Sequence, residues 1–142
     1  MRAINSLIQV LKKNKEVYHP VVSFDPEADR IVSLDLTSAN KELSEEIINR
    51  TDLFSAFIQN HLSAHRARYA VGGYGELRTM YSRSKVFDSG HSDEEPRRLH
   101  LGVDIWGDAG TAVFCPLGGM VHSVAMNQAD GDYGATIILL HQ

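Results

Sequence analysis

The chain has 142 residues, 43% hydrophobic and 23% charged, with a formal net charge of −4. That length holds one ordinary domain, or a small helical unit joined to part of another, and the acidic balance excludes the basic face of a nucleic-acid binder. A single cysteine, Cys115, excludes an internal disulfide and a cysteine zinc cluster.

Residues 2 to 13 place Ile4, Leu7, Ile8 and Leu11 at i, i+3, i+4 and i+7, the spacing of a short amphipathic helix, with Lys12 and Lys13 near its negative end. The stripe is short and weakly basic, so packing against the domain is expected rather than a membrane-surface role. The stretch lacks the uninterrupted apolar run and small-residue cleavage site of a signal peptide, which makes a cytoplasmic location the default expectation. Nowhere does the chain approach the ~18 consecutive apolar residues of a membrane helix, so no membrane insertion is expected. Val21-Val22-Ser23-Phe24, a turn at Asp25 to Asp29, and Ile31 to Leu36 read as a hairpin-like pair of strands. Val32, Leu34 and Leu36 alternate with Ser33 and Asp35, as in a strand buried on one face.

Helical spacing follows from Thr37, with Asn40 as a candidate cap before Leu43, Ile47 and Ile48. A second helix, capped by Thr51 or Asp52, carries Leu53, Phe54, Phe57, Ile58 and Leu62 and is expected to stop at Gly72-Gly73. His61 and His65 stand at i, i+4 on it, a spacing that permits a two-histidine metal face. No glutamate follows His61 as in His-Glu-x-x-His, and the surrounding residues read as a solvated polar stretch. Residues 74 to 96 form the expected joint; in it Glu76, Arg78 and Tyr81 read as an ion pair and a packing tyrosine, with the lining of a substrate groove as the alternative.

His100-Leu101-Gly102-Val103-Asp104-Ile105-Trp106 concentrates the chemistry. β-Branched Val103 and Ile105, with glycine between them and His100, favour an extended segment over a helix. On a straight strand His100 and Asp104 would stand roughly 13 Å apart, too far to share an ion. A bend at Gly102, which can adopt positive φ, would let both reach the roughly 2 Å of a zinc ligand. Beyond Asp104, short apolar strands at Val113 to Phe114, Met120 to Ala125 and Thr136 to Leu140 alternate with glycine-bearing turns at Gly118-Gly119 and Asp130-Gly131-Asp132, the spacing of a sandwich or barrel-like unit. Cys115 beside Pro116 reads as a small buried residue.

His-x-Gly-x-Asp, followed by Gly110-Thr111-Ala112-Val113, Cys115-Pro116, Gly119-Met120-Val121 and Tyr133-Gly134 before an apolar strand, resembles the lysostaphin-type zinc metallopeptidases. The resemblance covers residues 97 to 141; Ala112, Cys115 and Gly118 depart from residues common in that family. It implies a duplicated hybrid motif, an antiparallel β scaffold, and zinc-dependent cleavage of peptide bonds, mostly in peptidoglycan. His100 and Asp104 would be the first two zinc ligands. The family's Tyr-x-His-Leu and His-x-His segments, which bring the third ligand and the assisting histidines, lie further on than Gln142. The chain is therefore expected to be the front part of such a domain, inactive alone, with no catalytic residue assigned. Many members of that family are exported.

The expected organisation is α+β: a helical region at 1–73 with a short β-hairpin, a connection at 74–96, and the front of an incomplete antiparallel β unit at 97–142. The expected function is zinc-dependent hydrolysis of cell-wall peptides by the parent protein, the alternative a non-catalytic module binding a peptide or partner protein. His122 and His141 fall outside the family's ligand positions. The glycine-turned strands also resemble biotinyl and lipoyl domains, but no lysine follows Lys85, which excludes covalent loading of the β part. The open apolar faces of a sheet cut after residue 140 would favour self-association. Oligomeric state stays open.

Overall fold

In the computed structural model, which describes residues 2–78, 98–129 and 132–141, buried side chains are concentrated around one helix. Helix α3 (Thr51–His65) buries Phe54, Ile58 and Leu62, one helical turn apart along a single stripe. Helix α2 (Glu45–Asn49) adds Ile48 and begins at Ser44, whose hydroxyl accepts the Ile47 N–H. Strand β1 (Ile31–Leu34) contributes Leu34, followed by Leu36, with Val32 partly buried against them. The alternation read in that strand is therefore the core face. Ile58→Ala is expected to cost about 2–5 kcal/mol, because the truncation leaves a cavity beside Leu34 and Leu62; urea unfolding with an unchanged slope would show it.

The partner of β1 differs from the expected one. It pairs in parallel with β2 (Tyr69–Gly72), from Ile31 opposite Tyr69 to Leu34 opposite Gly72. Val22 instead bridges Val113. Two other local readings shift as well. Asn40 sits in a turn, its side chain accepting the Glu42 N–H and donating to Asp35 O, while Ser44 takes the capping role. Helix α3 ends at Arg66, in the left-handed conformation at φ 50°, with Ala67 N–H returning to Leu62 O. The stop thus comes six residues before Gly72 and frees Tyr69–Gly72 to be a strand.

The loop before β1 is tied at Asp29, whose Oδ2 accepts from Asp25 N–H at 2.8 Å and from Arg68 Nη1 at 2.6 Å. The bond from Asp25, with the Arg68 hydrogen bond and charge, holds the Asp29 carboxyl below its ordinary pKa, overcoming desolvation. A depressed folded-state pKa contributes stability above the unfolded value of about 3.9 and loses it as pH falls through the folded value. The melting-temperature deficit of Asp29→Asn should therefore be full at neutral pH and shrink progressively in acid.

Contact clustering divides the chain into two units, one of residues 25–109 and 125–136, the other of residues 1–24, 110–124 and 137–142. The first holds the core just described. In the second, helix α1 (Arg2–Lys13) forms as its spacing predicts. On it Leu7, Ile8, Val10 and Leu11 are exposed. A 3-10 turn (Lys15–Val17) follows, and Tyr18 Oη donates to Leu11 O. His19 N–H donates to Pro116 O and Phe114 N–H to Val21 O, with the His19 and Phe114 rings 5.2 Å apart. Val113 to Phe114 supplies this bridge in place of a strand.

Strands β6 (Met120–Met126) and β7 (Ala135–Leu140) pair with each other. They run antiparallel: Asn127 N–H donates to Gly134 O near the turn, while a side chain at Gly119 would meet Leu140 O at the other end. Met120, Val121, Val124, Ile137, Ile138 and Leu140 are all exposed. The whole is a mixed α+β arrangement of N-terminal helices and antiparallel sheet, with β1–β2 as a parallel element.

Candidate metal site at the bend of a long ladder

Strands β3 (Glu76–Leu77), β4 (Leu99–His100) and β5 (Asp104–Trp106) complete the architecture. β2 pairs with β5 through Ala70–Trp106, Val71–Ile105 and Gly72–Asp104, and β3 pairs with β4 through Glu76–His100 and Leu77–Leu99. These pairings share one unbroken antiparallel register. The arms 69–78 and 98–106 therefore run antiparallel as two short ladders in one register, separated by a bend where Gly73 to Gly75 face Leu101 to Val103. Gly75 takes φ +75° at this bend, and its N–H donates to His100 O at 2.7 Å.

The bend brings together side chains that a flat strand would separate. His100 Nε2 lies 3.4 Å from Asp104 Oδ1. Two ligand atoms on one tetrahedral zinc, each at about 2.0–2.1 Å from it, stand about 3.3 Å apart, so the pair fits a shared ion. The role of Gly102 differs from the expected one. Its φ lies outside the positive range, and what it provides is space: a Cβ there would stand 3.0 Å from His100 Nε2 and 3.1 Å from Cε1.

Asp104 is fixed from its other side by Arg78. The Arg78 side chain is 2% exposed. Its Nη1 donates to Asp104 Oδ2, and its Nε donates to Glu76 Oε2 at 3.0 Å. Nη2 also lies 3.0 Å from Glu76 Oε2 as a charge contact, without hydrogen-bond geometry. Burial works against the arginine's charge, but the hydrogen bonds and charges of Asp104 and then Glu76 outweigh it, so its pKa is raised. Two glycines accommodate the group: a Cβ at Gly72 would meet Arg78 Nη2 at 2.7 Å, and one at Gly73 would meet Glu76 Oε1 at 2.8 Å. The Arg78 main chain is held by Thr37 on one side and Arg98 O on the other.

The Glu76–Arg78 ion pair matches the sequence reading, whereas the bond from Arg78 to Asp104, 26 positions away, has no signal in spacing or periodicity. Tyr81 and the polar segment Asp88 to Pro96 lie outside the described residues, as do Asp130 and Gly131. The other candidates have local partners. His122 Nδ1 lies 3.2 Å from Ser123 Oγ, and His141 Nδ1 lies 2.9 Å from Gly118 O. Cys115 is exposed, with Sγ directed at Leu117 O, and so does not fill a core position as expected. Among the described residues no group of three His, Cys, Asp or Glu side chains converges as a metal site, and no helix is long and apolar enough to cross a membrane.

No protein-family model, curated protein or solved structure matches the chain.

Proposed function

We propose that His100 and Asp104 are two ligands of a zinc ion used for peptide-bond hydrolysis, with cell-wall peptides as the substrate class. The supporting observation is the 3.4 Å approach of His100 Nε2 to Asp104 Oδ1 across the bend. The resemblance of residues 97 to 141 to lysostaphin-type peptidases supplies the reaction class, and a duplicated hybrid motif belongs to the same proposal as the finer architecture. Held there, zinc would supply Lewis-acid polarisation of a scissile carbonyl and a bound water whose pKa is lowered toward about 7.

The chain's own residues prepare the ligands. Arg78 takes Asp104 Oδ2, which orients Oδ1 toward His100. Glu76 balances the arginine, so with neutral imidazole the four groups carry one net negative charge, favourable to a dication. Ladder pairing fixes His100 opposite Glu76 and Asp104 opposite Gly72, so neither ligand rests on a free loop. Asp104 acts as a ligand rather than a base, and a third ligand falls to a residue outside this described set.

A non-catalytic module that binds a peptide or partner is the second reading. Zinc calorimetry on the 142-residue chain, paired with peptidase assays on the chain and on a version extended by any further residues of its reading frame, separates the two. The zinc reading expects weak binding that is lost in His100→Ala and Asp104→Ala, with chelator-sensitive cleavage in the extended protein. Zinc binding indifferent to both changes would overturn it, and an inactive extended protein would favour the binding module.

A further inference from the structure

Away from the bend, the rings of His61 and His65 stand one turn apart on α3, with centroids 4.5 Å from each other. Each ring has one nitrogen engaged by a backbone carbonyl: His61 Nε2 lies 3.0 Å from Ser33 O on β1, and His65 Nδ1 lies 2.8 Å from His61 O. A carbonyl only accepts, so both imidazoles donate, and this fixes the tautomers. His61 then has its lone pair on Nδ1 and His65 on Nε2. Ligating histidines in proteins are oriented by such a bond from the opposite nitrogen to a carbonyl or carboxylate, which also raises the basicity of the ligand atom. Here both histidines already have it.

The two rings line an open cavity of about 290 Å³ together with Glu42, Phe57, Asn60 and Ala64. Phe57 stacks against His61 with centroids 6.5 Å apart and planes 21° from parallel. Among the lining residues Glu42 adds negative charge and Ala64 is small. A solvated polar face would need neither the tautomer-fixing bonds nor the cavity.

We propose that His61 and His65 form a two-imidazole site for a late divalent transition metal, with water completing the coordination. Two neutral nitrogens without a thiolate or a converging carboxylate suit copper(II) first and nickel(II) next, since affinity in such sites rises toward copper and falls again at zinc. The site is independent of His100 and Asp104, and its failure would leave the zinc reading untouched.

Titration of the folded chain with copper(II) chloride, followed by electron paramagnetic resonance and histidine NMR signals, tests it. The expected result is one early equivalent of copper with nitrogen hyperfine structure from two imidazoles, broadening the His61 and His65 signals before those of the other histidines. His65→Gln removes an exposed side chain, and circular dichroism confirms that the helix persists in that variant. It should lower copper affinity more than about 100-fold, beyond the roughly 10- to 100-fold effect of losing an outer-shell partner, whereas His100→Ala should leave this equivalent in place. Copper bound equally well by folded His65→Gln, first broadening at His100, or no binding below millimolar copper would each overturn the site.

Discussion

Arg78→Met is expected to destabilise the protein by about 2–4 kcal/mol, the largest loss foreseen for a polar side chain here. Methionine nearly matches the apolar stem but leaves Glu76 and Asp104 facing each other without a cation. Breaking a buried pair from one side costs about 3–5 kcal/mol. The range is set slightly lower because the Glu76 and Asp104 side chains keep 18% and 32% of their exposure, so water offsets part of the loss. Denaturant midpoints at constant slope give the measurement. A loss below about 0.5 kcal/mol, the usual limit for an ordinary surface change, would mean that Arg78 does not hold the bend together.

How the bend forms explains what the sequence could and could not reveal. Helices α1 and α3 were legible because periodicity is local: Leu7, Ile8 and Leu11, or Phe54, Ile58 and Leu62, identify a face within a few turns. Strands β6 and β7 were legible from apolar runs between glycine-bearing turns. The extended character of His100 to Trp106 and the need for a bend to bring His100 near Asp104 were legible too, from β-branched residues and the length of a strand.

Pairing was not legible, because it is decided by distant partners. Tyr69–Gly72 is four residues long and directly follows a helix, so the glycines after it looked like a helix stop. What makes it the middle strand is burial: Tyr69 and Ala70 are enclosed between the core and the neighbours β1 and β5. Once β2 is placed between them, Ile31–Leu34 pairs with it rather than with Val21–Phe24. Gly72-Gly73 then has a different purpose from chain termination, clearing room for the Arg78 guanidinium and the Glu76 carboxylate. The metal ligands themselves were proposed from type and spacing, but the arginine that orients Asp104 comes from the opposite arm of the ladder and could be found only by folding it.

Gly102→Ala is expected to lower zinc affinity about 10- to 100-fold, the scale of losing a supporting contact around a ligand, while changing stability by less than about 1 kcal/mol. Gly102 does not use positive φ, so its backbone conformation is open to alanine. The new methyl carbon would stand 3.0 Å from His100 Nε2 and 3.1 Å from Cε1, tighter than ordinary contact. Ladder pairing with Glu76 holds the His100 main chain, so the ring rather than the strand has to yield. A shift of a few tenths of an ångström away from Gly102 disturbs the 3.4 Å approach to Asp104, and a small ion tolerates little error in the separation of two ligands. Calorimetry with zinc chloride reads the affinity, and thermal melting of the same samples reads the fold. Unchanged affinity in a normally folded Gly102→Ala protein would show that zinc does not bind where His100 crosses the glycine, and would move the ligands away from the bend.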